Sequence, residues 1–347
     1  MTMTKYSTNT GRINKFKGEL LAHAIPVEVL GITGQMKKMP KNNGDNVVYR
    51  RYIPYGAATT NANTENRPAV TSAAHVTTEG VTPTADSITP VDVSVSLLQY
   101  ACLYAITDKT VDMYEDDIPA EMKKHCGERM GLVREMIRYG ALKAATNVFY
   151  AGGTTRLTVS SKITLGLLRK MSRTLQSNHG KMITGILAPS NNYATAPVEA
   201  AFLVFCHTDC ENDIRDLPGF KHVSEYGTRK PVHDMELGSV DRFRFVTSPE
   251  LASIPDSGAA ALTNGLYYTT SSSAIDVYPV IVVAEDAWGD VALRGVDSVD
   301  PTYLAPGTKD KNDPLGQRGY IGAKFYAAST VLNNGWCAIL ECGVTSL

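Results

Sequence analysis

The stretch DIPAEMKKHCGERMGLVREMIRYGALKAATNVF, residues 117–149, constrains the fold more than any other. Met122, Cys126, Met130, Val133, Ile137, Ala141, Ala144 and Val148 recur every three or four positions, a mean of about 3.7 and close to the helical period. Pro119 sits near the first turn beside Asp116 and Asp117, which suits a helix N-terminus. The pattern predicts one helix of about 48 Å, or about 32 residues, nearly three times the usual length of about 11–12 residues. Gly127, Gly131 and Gly140 each weaken it by up to about 1 kcal/mol relative to alanine. Such a helix needs packing along its whole length, and the glycines are candidate points of close crossing.

The segment 56–90, GAATTNANTENRPAVTSAAHVTTEGVTPTADSITP, has the opposite character. It is built from Ala, Thr, Asn, Ser, Gly and Pro, with one aliphatic residue every several positions. A compact domain rarely carries so long a loop unless the loop works outside the core. Thr and Val favour extended backbone, so the reading is a projecting, two-stranded arm with little core of its own. The strand VVYRRYIPY, 47–55, leads into it. On the return, apolar residues occupy Val91, Val93, Val95 and Leu97, then shift to Leu98, Tyr100, Cys102, Tyr104 and Ile106. A one-residue slip of this kind changes the buried face, so one long strand is read as serving the arm and then the body.

Elsewhere the reading is coarser. Residues 1–45 form a polar arm with a helical stretch at 14–23. With the following strand, to Tyr52, they hold nine Lys and Arg against three acidic residues, so this end is near +6 and the remainder near −7 within a total of −1. The near-neutral total argues against a dedicated nucleic-acid binder. An amphipathic helix is predicted over Ile163–Gln176. From 183 to 290 short strands alternate with helices, AFLVF, FRFV and YPVIVVA being buried strands. Asn334-Gly335 reads as a hairpin turn between the last two strands. The opening MTMTKYSTNTGRINKFK shows no apolar core of a signal peptide, and the longest aliphatic run, VIVVA, is far below the ~20 residues of a membrane span. Six scattered cysteines in a chain of this size read as reduced and mostly buried.

The stretch FCHTDCENDIRDLPGFKH, 205–222, is the main candidate for chemistry. Cys206, His207, Cys210 and His222 could be drafted as zinc ligands, which would make the chain a soluble metal-dependent enzyme. The competing reading is structural: a strand delivers Cys206 to a core, and Thr208-x-x-Glu211 is a capping box for a short helix stopped by Pro218-Gly219. The second CxxC pair of a zinc site is missing, as are HExxH, GxSxG and Walker A motifs. The stretch from Asp310 fails the calcium-loop pattern, and Asp286 and Asp290 read as exposed loop acids. No catalytic residue, metal or cofactor is assigned, and the chain is read as a non-enzyme.

Several stretches together resemble the major capsid proteins of N4-like tailed bacteriophages, related to the HK97-like shell fold. They are GRINKFKGELLAHAIPVEVLGITG, HVTTEGVTPTADSITP, QYACLYAITDKTVDMYEDD, GERMGLVREMIRYGALKA, FCHTDCENDIRDLPGF, RKPVHDMELGSVDRFRFV and NDPLGQRGYIGAKFYAA. The resemblance implies an α+β HK97-like capsid fold. Its parts would be an N-terminal arm at 1–45, an extended β-hairpin loop with its strands at 46–107, and a peripheral domain with a long spine helix at 108–182. An axial domain would follow at 183–290, and 291–347 would return to the peripheral sheet. It implies hexamers and pentamers closing an icosahedral head around double-stranded DNA bound without sequence specificity. Portal and separate scaffolding or decoration proteins would be partners, membranes would not, and the protein would pass from host cytoplasm to virion. Arg50, Arg51, Arg67, His75, Glu79, Arg129 and Arg134 are the candidate inter-subunit contacts. No Lys lies between Lys41 and Lys109, so an isopeptide cross-link from the loop is not expected. The roughly 45 residues before the first strand are too few for the ~100-residue scaffolding segment of some relatives. An encapsulin-type cellular shell is the alternative within the same fold.

Overall fold

The computed structural model describes residues 26–57, 65–83, 85–114, 117–183, 200–227, 231–260, 265–267, 274–293, 300–309 and 311–346. The helical stretch read at 14–23 lies outside them. Residues 26–34 form a strap that leads into β1 (Gln35–Met39), then come β2 (Asn46–Tyr52) and, after the long loop, β3 (Pro90–Ser96) and β4 (Leu98–Thr107). Next come α1 (Asp108–Met113), the long α2 (Ile118–Lys143), β5 (Val148–Tyr150) and α3 (Leu165–Ser177). Then follow β6 (Phe202–Cys206), α4 (Glu211–Arg215), β7 (Lys221–His222), β8 (Glu236–Val240), β9 (Phe243–Thr247) and β10 (Tyr278–Val283). The chain closes with β11 (Trp288–Leu293), β12 (Asp300–Leu304), β13 (Arg318–Val331) and β14 (Cys337–Cys342).

Two sheets carry the body. A seven-stranded sheet has the order β5-β14-β10-β6-β9-β8-β7. Its central strands are buried on both faces, which is why they read as unbroken apolar runs. One face packs Phe202, Val204, Val280, Val282 and Leu340 against Leu168, Met171 and Leu175 of α3. The other packs Leu203, Phe205, Ile281, Val283 and Ile339 against Leu142 of α2 and Val29 and Leu30 of the strap. The second sheet runs β1-β11-β13-β12, with β4 also on β13. Its Cys102, Ala323, Phe325 and Ala327 meet Cys126 and Met130 of α2.

Helix α2 has 26 residues and ends at Lys143, not near Phe149. Asp117 caps it, accepting the Ala120 N–H at 3.2 Å. Beyond the helix Val148–Tyr150 pair in parallel with β14. The β-branched and aromatic VFY segment finds a strand partner there, and that pairing overrides the continuing helical period. Of the three glycines, only Gly131 marks a close crossing: an added Cβ would stand against the Glu28 carboxylate of the strap, while nothing approaches Gly127 or Gly140. The strap is tied to α2 by Glu135, whose Oε1 accepts the Val29 and Leu30 N–H groups, both at 2.7 Å.

Three further readings are corrected. First, a strand precedes residue 45: β1 pairs in parallel with β11, an edge offered by tertiary contact and unmarked in the sequence QMKKM. Second, residues 56–90 are not two-stranded where described. Pairing is confined to the base, Asn46–Tyr52 with Pro90–Ser96, and the Ala/Thr/Pro-rich part above it has no ladder. Third, Asn334-Gly335 makes no hairpin, because β13 and β14 belong to different sheets and the chain crosses between them at 332–336. Residues 291–347 therefore return to both sheets. Within 183–290 the described regular elements are mostly strands, and α4 has only five residues. The phase slip at 97–98 is real: β3 pairs with β2 alone, β4 with β13.

Candidate assembly surface

The cysteine and histidine cluster has structural uses throughout. Cys206 ends a fully buried strand, and Cys210 is buried beneath it. The Cys206 thiol beside it, together with burial, holds the Cys210 thiol well above its ordinary value. A protonated, enclosed thiol is neither a nucleophile nor a ready metal ligand. The turn is capped by His207, not by Thr208: its Nδ1 accepts the Asp209 N–H at 3.1 Å. Asp209 in turn accepts the Tyr278 hydroxyl at 2.7 Å, and Glu211 pairs with Arg215 instead of reaching back. His222 repeats the device on the Ser224 N–H at 3.2 Å. Asp290 is no exposed loop acid. It is buried, held by Arg138 at 2.9 Å and by the Ser329 hydroxyl at 2.9 Å. Among the described residues no group of three or more His, Cys, Asp or Glu could hold a metal ion. Among them, too, no helix is long and apolar enough to cross a membrane.

The loop is the opposite of these packed clusters. Val70, Val76, Val81 and Ile88 are 57%, 77%, 62% and 75% exposed. Four large aliphatic side chains thus stand in water along one segment, and none of the described residues buries them. The body also leaves apolar residues exposed on both faces of the second sheet. The hairpin base covers β1 and β11 through Tyr49, Val93 and Val95 on Met39 and Val291. Further along, Leu98, Leu103 and Leu304 are exposed.

The seven charged candidates divide in two. Arg50 forms a two-pronged pair with Asp92, both bonds 2.7 Å, on the exposed hairpin. His75 lies 5.5 Å from Tyr55, and Glu79 is exposed at a turn. Arg129 is exposed on α2. Arg51, Arg67 and Arg134 are instead held by the loop root and the body of the chain. Arg134 stands 4.0 Å from Asp290 and over the Phe325 ring at 5.9 Å. Arg51 binds Glu65, and donates to Asn66 Oδ1 at 2.9 Å. Burial lowers its pKa from the ordinary guanidinium value. Arg67 donates to Asn178 Oδ1 at 2.9 Å.

Arg51 and Arg67 thus meet at a cluster that sequence reasoning missed. Asn66 and Asn333 exchange two amide hydrogen bonds, 2.7 and 3.0 Å, while only 6% and 2% exposed. Asn333 Oδ1 also accepts the Gly335 N–H at 3.1 Å. Asn178 donates to the Gly335 carbonyl at 3.2 Å and accepts from the Trp336 indole at 2.8 Å. The partners are 267 residues apart in the chain for Asn66 and Asn333, so no local pattern announces them.

No family model matches the sequence. The major capsid protein of Pseudomonas phage KPP21 is 21% identical over 265 residues, which is 71% of this chain and 66% of that protein. The match therefore spans just under two thirds of the relative's length. Solved structures agree over nearly the full length. The capsid of Ralstonia phage GP4 covers 99% of both chains at a TM-score of 0.66 and 11% identity. The cyanophage Pam1 capsid subunit covers 100% of both at 0.61 and 13% identity. The capsid of cyanophage P-SCSP1u covers 99% of this chain and 96% of its own at 0.59 and 13% identity. With its long helix packed on one sheet, its loop projecting from a two-stranded base and its second, seven-stranded sheet, the chain has the α+β, HK97-like fold of phage capsid subunits.

Proposed function

We propose that this chain is the major capsid protein of a tailed bacteriophage of N4-like lineage. It assembles with its own copies as hexamers and pentamers into an icosahedral head that encloses double-stranded DNA. The observation that carries this reading is the end-to-end correspondence with phage capsid subunits. The KPP21 similarity and the four exposed aliphatic residues of the loop support it.

The mechanism is association by many weak contacts. The loop of one subunit lies on a neighbour, burying aliphatic side chains that the free subunit leaves in water and adding backbone pairing between chains. In this reading 46–107 is the extended loop with its strands, 108–182 the peripheral domain and 183–290 the axial domain. Residues 291–347 complete both sheets. Arg50, His75, Glu79 and Arg129 face neighbours, whereas Arg51, Arg67 and Arg134 shape the surfaces that do. The basic residues of 1–45 face packaged DNA and neutralise phosphates without reading bases. Portal and scaffolding proteins join during assembly in the host cytoplasm.

Electron microscopy and sedimentation of the purified protein test this, with cognate lysate added if no particles form. Closed uniform shells holding DNA after infection are expected. Shells that hold protein cargo would favour an encapsulin, and a subunit inert even in lysate would overturn the assembly reading. A charge-neutralised arm that still retained packaged DNA would remove the role given to residues 1–45.

A further inference from the structure

The asparagine cluster lies at the loop root. Two connections between the sheets lie side by side here: the link from β10 to β11 at 284–287 and the link from β13 to β14 at 332–336. They are stapled to each other, since Leu332 N–H and Asn333 N–H both donate to the Ala287 carbonyl, at 2.9 and 3.1 Å, and Ala284 N–H donates to the Trp336 carbonyl at 3.0 Å. The root of the loop docks on this junction. Asn66 binds Asn333, Arg67 binds Asn178 at the end of α3, and the Asn178 amide and carbonyl hold Gly335 and Trp336. Gly335 has no room for a side chain: an added Cβ would stand 2.7 Å from the Asn66 amide and 3.2 Å from the Asn178 amide.

We propose that the Asn66–Asn333 amide pair, with Arg51, Arg67 and Asn178, is a latch that couples the position of the loop to the junction between the two sheets. In the free subunit it holds the loop root in one orientation, so the loop leaves the body at a preset angle. A neighbour that displaces the loop acts directly on the two crossings, and therefore on how the sheets sit against each other. The network is contiguous, its three asparagines are buried and every bond in it is directional: the amides cannot slide as apolar contacts can, and breaking one strands its buried partner. Coupling through such a network requires that both ends respond to one perturbation. That the displaced loop meets a neighbouring copy rests on the capsid reading; the latch itself is a property of one subunit.

Hydrogen exchange on the full-length soluble subunit tests it, comparing the unmodified chain with Asn66→Ala and, as a control on the same loop, Val76→Ser. Asn66→Ala should speed exchange about tenfold both at 65–69 and at the crossings 284–288 and 332–337, as expected for losing buried hydrogen bonds near a locally opening segment. Val76→Ser should change none of these. Faster exchange confined to 65–69 would overturn the coupling, and unchanged exchange everywhere would overturn the latch. Arg67→Ala, which removes one bond at the rim, should give the same pattern more weakly and serves if Asn66→Ala does not fold. Particle formation is read separately by sedimentation. A failed capsid reading would leave the exchange pattern intact, and a failed latch would leave particles unexplained by it.

Discussion

Glu135 shows how one side chain can decide the path of a segment far from it in sequence. It is fully buried on α2, and its Oε1 alone accepts two strap amides. Burial holds its carboxyl above the ordinary carboxylate value of 4.5, although the Leu30 and Val29 amides and Arg138 pull the other way. A raised pKa in the folded state means that the fold holds this proton more tightly than the unfolded chain does. The associated stability is present below about pH 4.5 and is lost as pH rises through the folded value. Thermal unfolding of the unmodified chain relative to Glu135→Gln should therefore show a declining advantage from about pH 4.5 upward. Glu135→Ala, which orphans two buried N–H groups, should cost about 2–4 kcal/mol at neutral pH, measured by denaturant unfolding. All six cysteines are free and buried, so a thiol reagent should label almost none in the native protein and all after unfolding. Rapid native labelling of Cys206 or Cys210 would contradict the packing described for them.

At the scale of elements, the glycines of α2 separate into two kinds. Gly140 is exposed and an added Cβ would meet nothing, so Gly140→Ala should stabilise by about 0.5–1 kcal/mol through helix propensity alone. Gly335 is the reverse case. It resembles a turn glycine in the sequence, yet it is there for close approach, with two amide groups against it. Gly335→Ala should destabilise by about 1–3 kcal/mol as the asparagine amides are pushed apart. The two variants are distinguished by the sign of their shift in thermal midpoint. The helical period of α2 was legible because one face packs on a sheet along most of its length. Its end was not, because the strand partner of 148–150 lies in β14, almost two hundred residues on.

At the scale of the whole molecule, the loop is a piece of core without a core. Replacing Val70, Val76, Val81 and Ile88 together by serine should leave the thermal midpoint of the subunit within about 1 °C, because none of the four is buried in it. The same replacement should abolish particles in sedimentation and electron microscopy. Retained particle formation would show that the loop's apolar surface is not what joins subunits. Substitutions at Asn66 belong to a different class: they should disturb the subunit itself before any neighbour is present.

The periodic and compositional features were legible in the chain's residue order alone. Helices α2 and α3, the buried strands β6, β9 and β10, the change of face at 97–98 and the sparse apolar content of 56–90 all follow from local spacing of apolar residues, although Glu65 and Asn66 within that loop are buried. Whatever depends on partners distant in the chain became visible with the fold. That class holds β1 on the edge of β11, the crossing of β13 and β14 into different sheets, His207 as the cap in place of Thr208, and the asparagines at the loop root. The physical reason is common to all four. Apolar burial leaves a periodic mark because a whole face must be apolar. A directional hydrogen bond needs one donor and one acceptor at the right place, and an asparagine, a histidine or a bare strand edge looks the same in sequence whether that partner is water or a side chain 267 residues away.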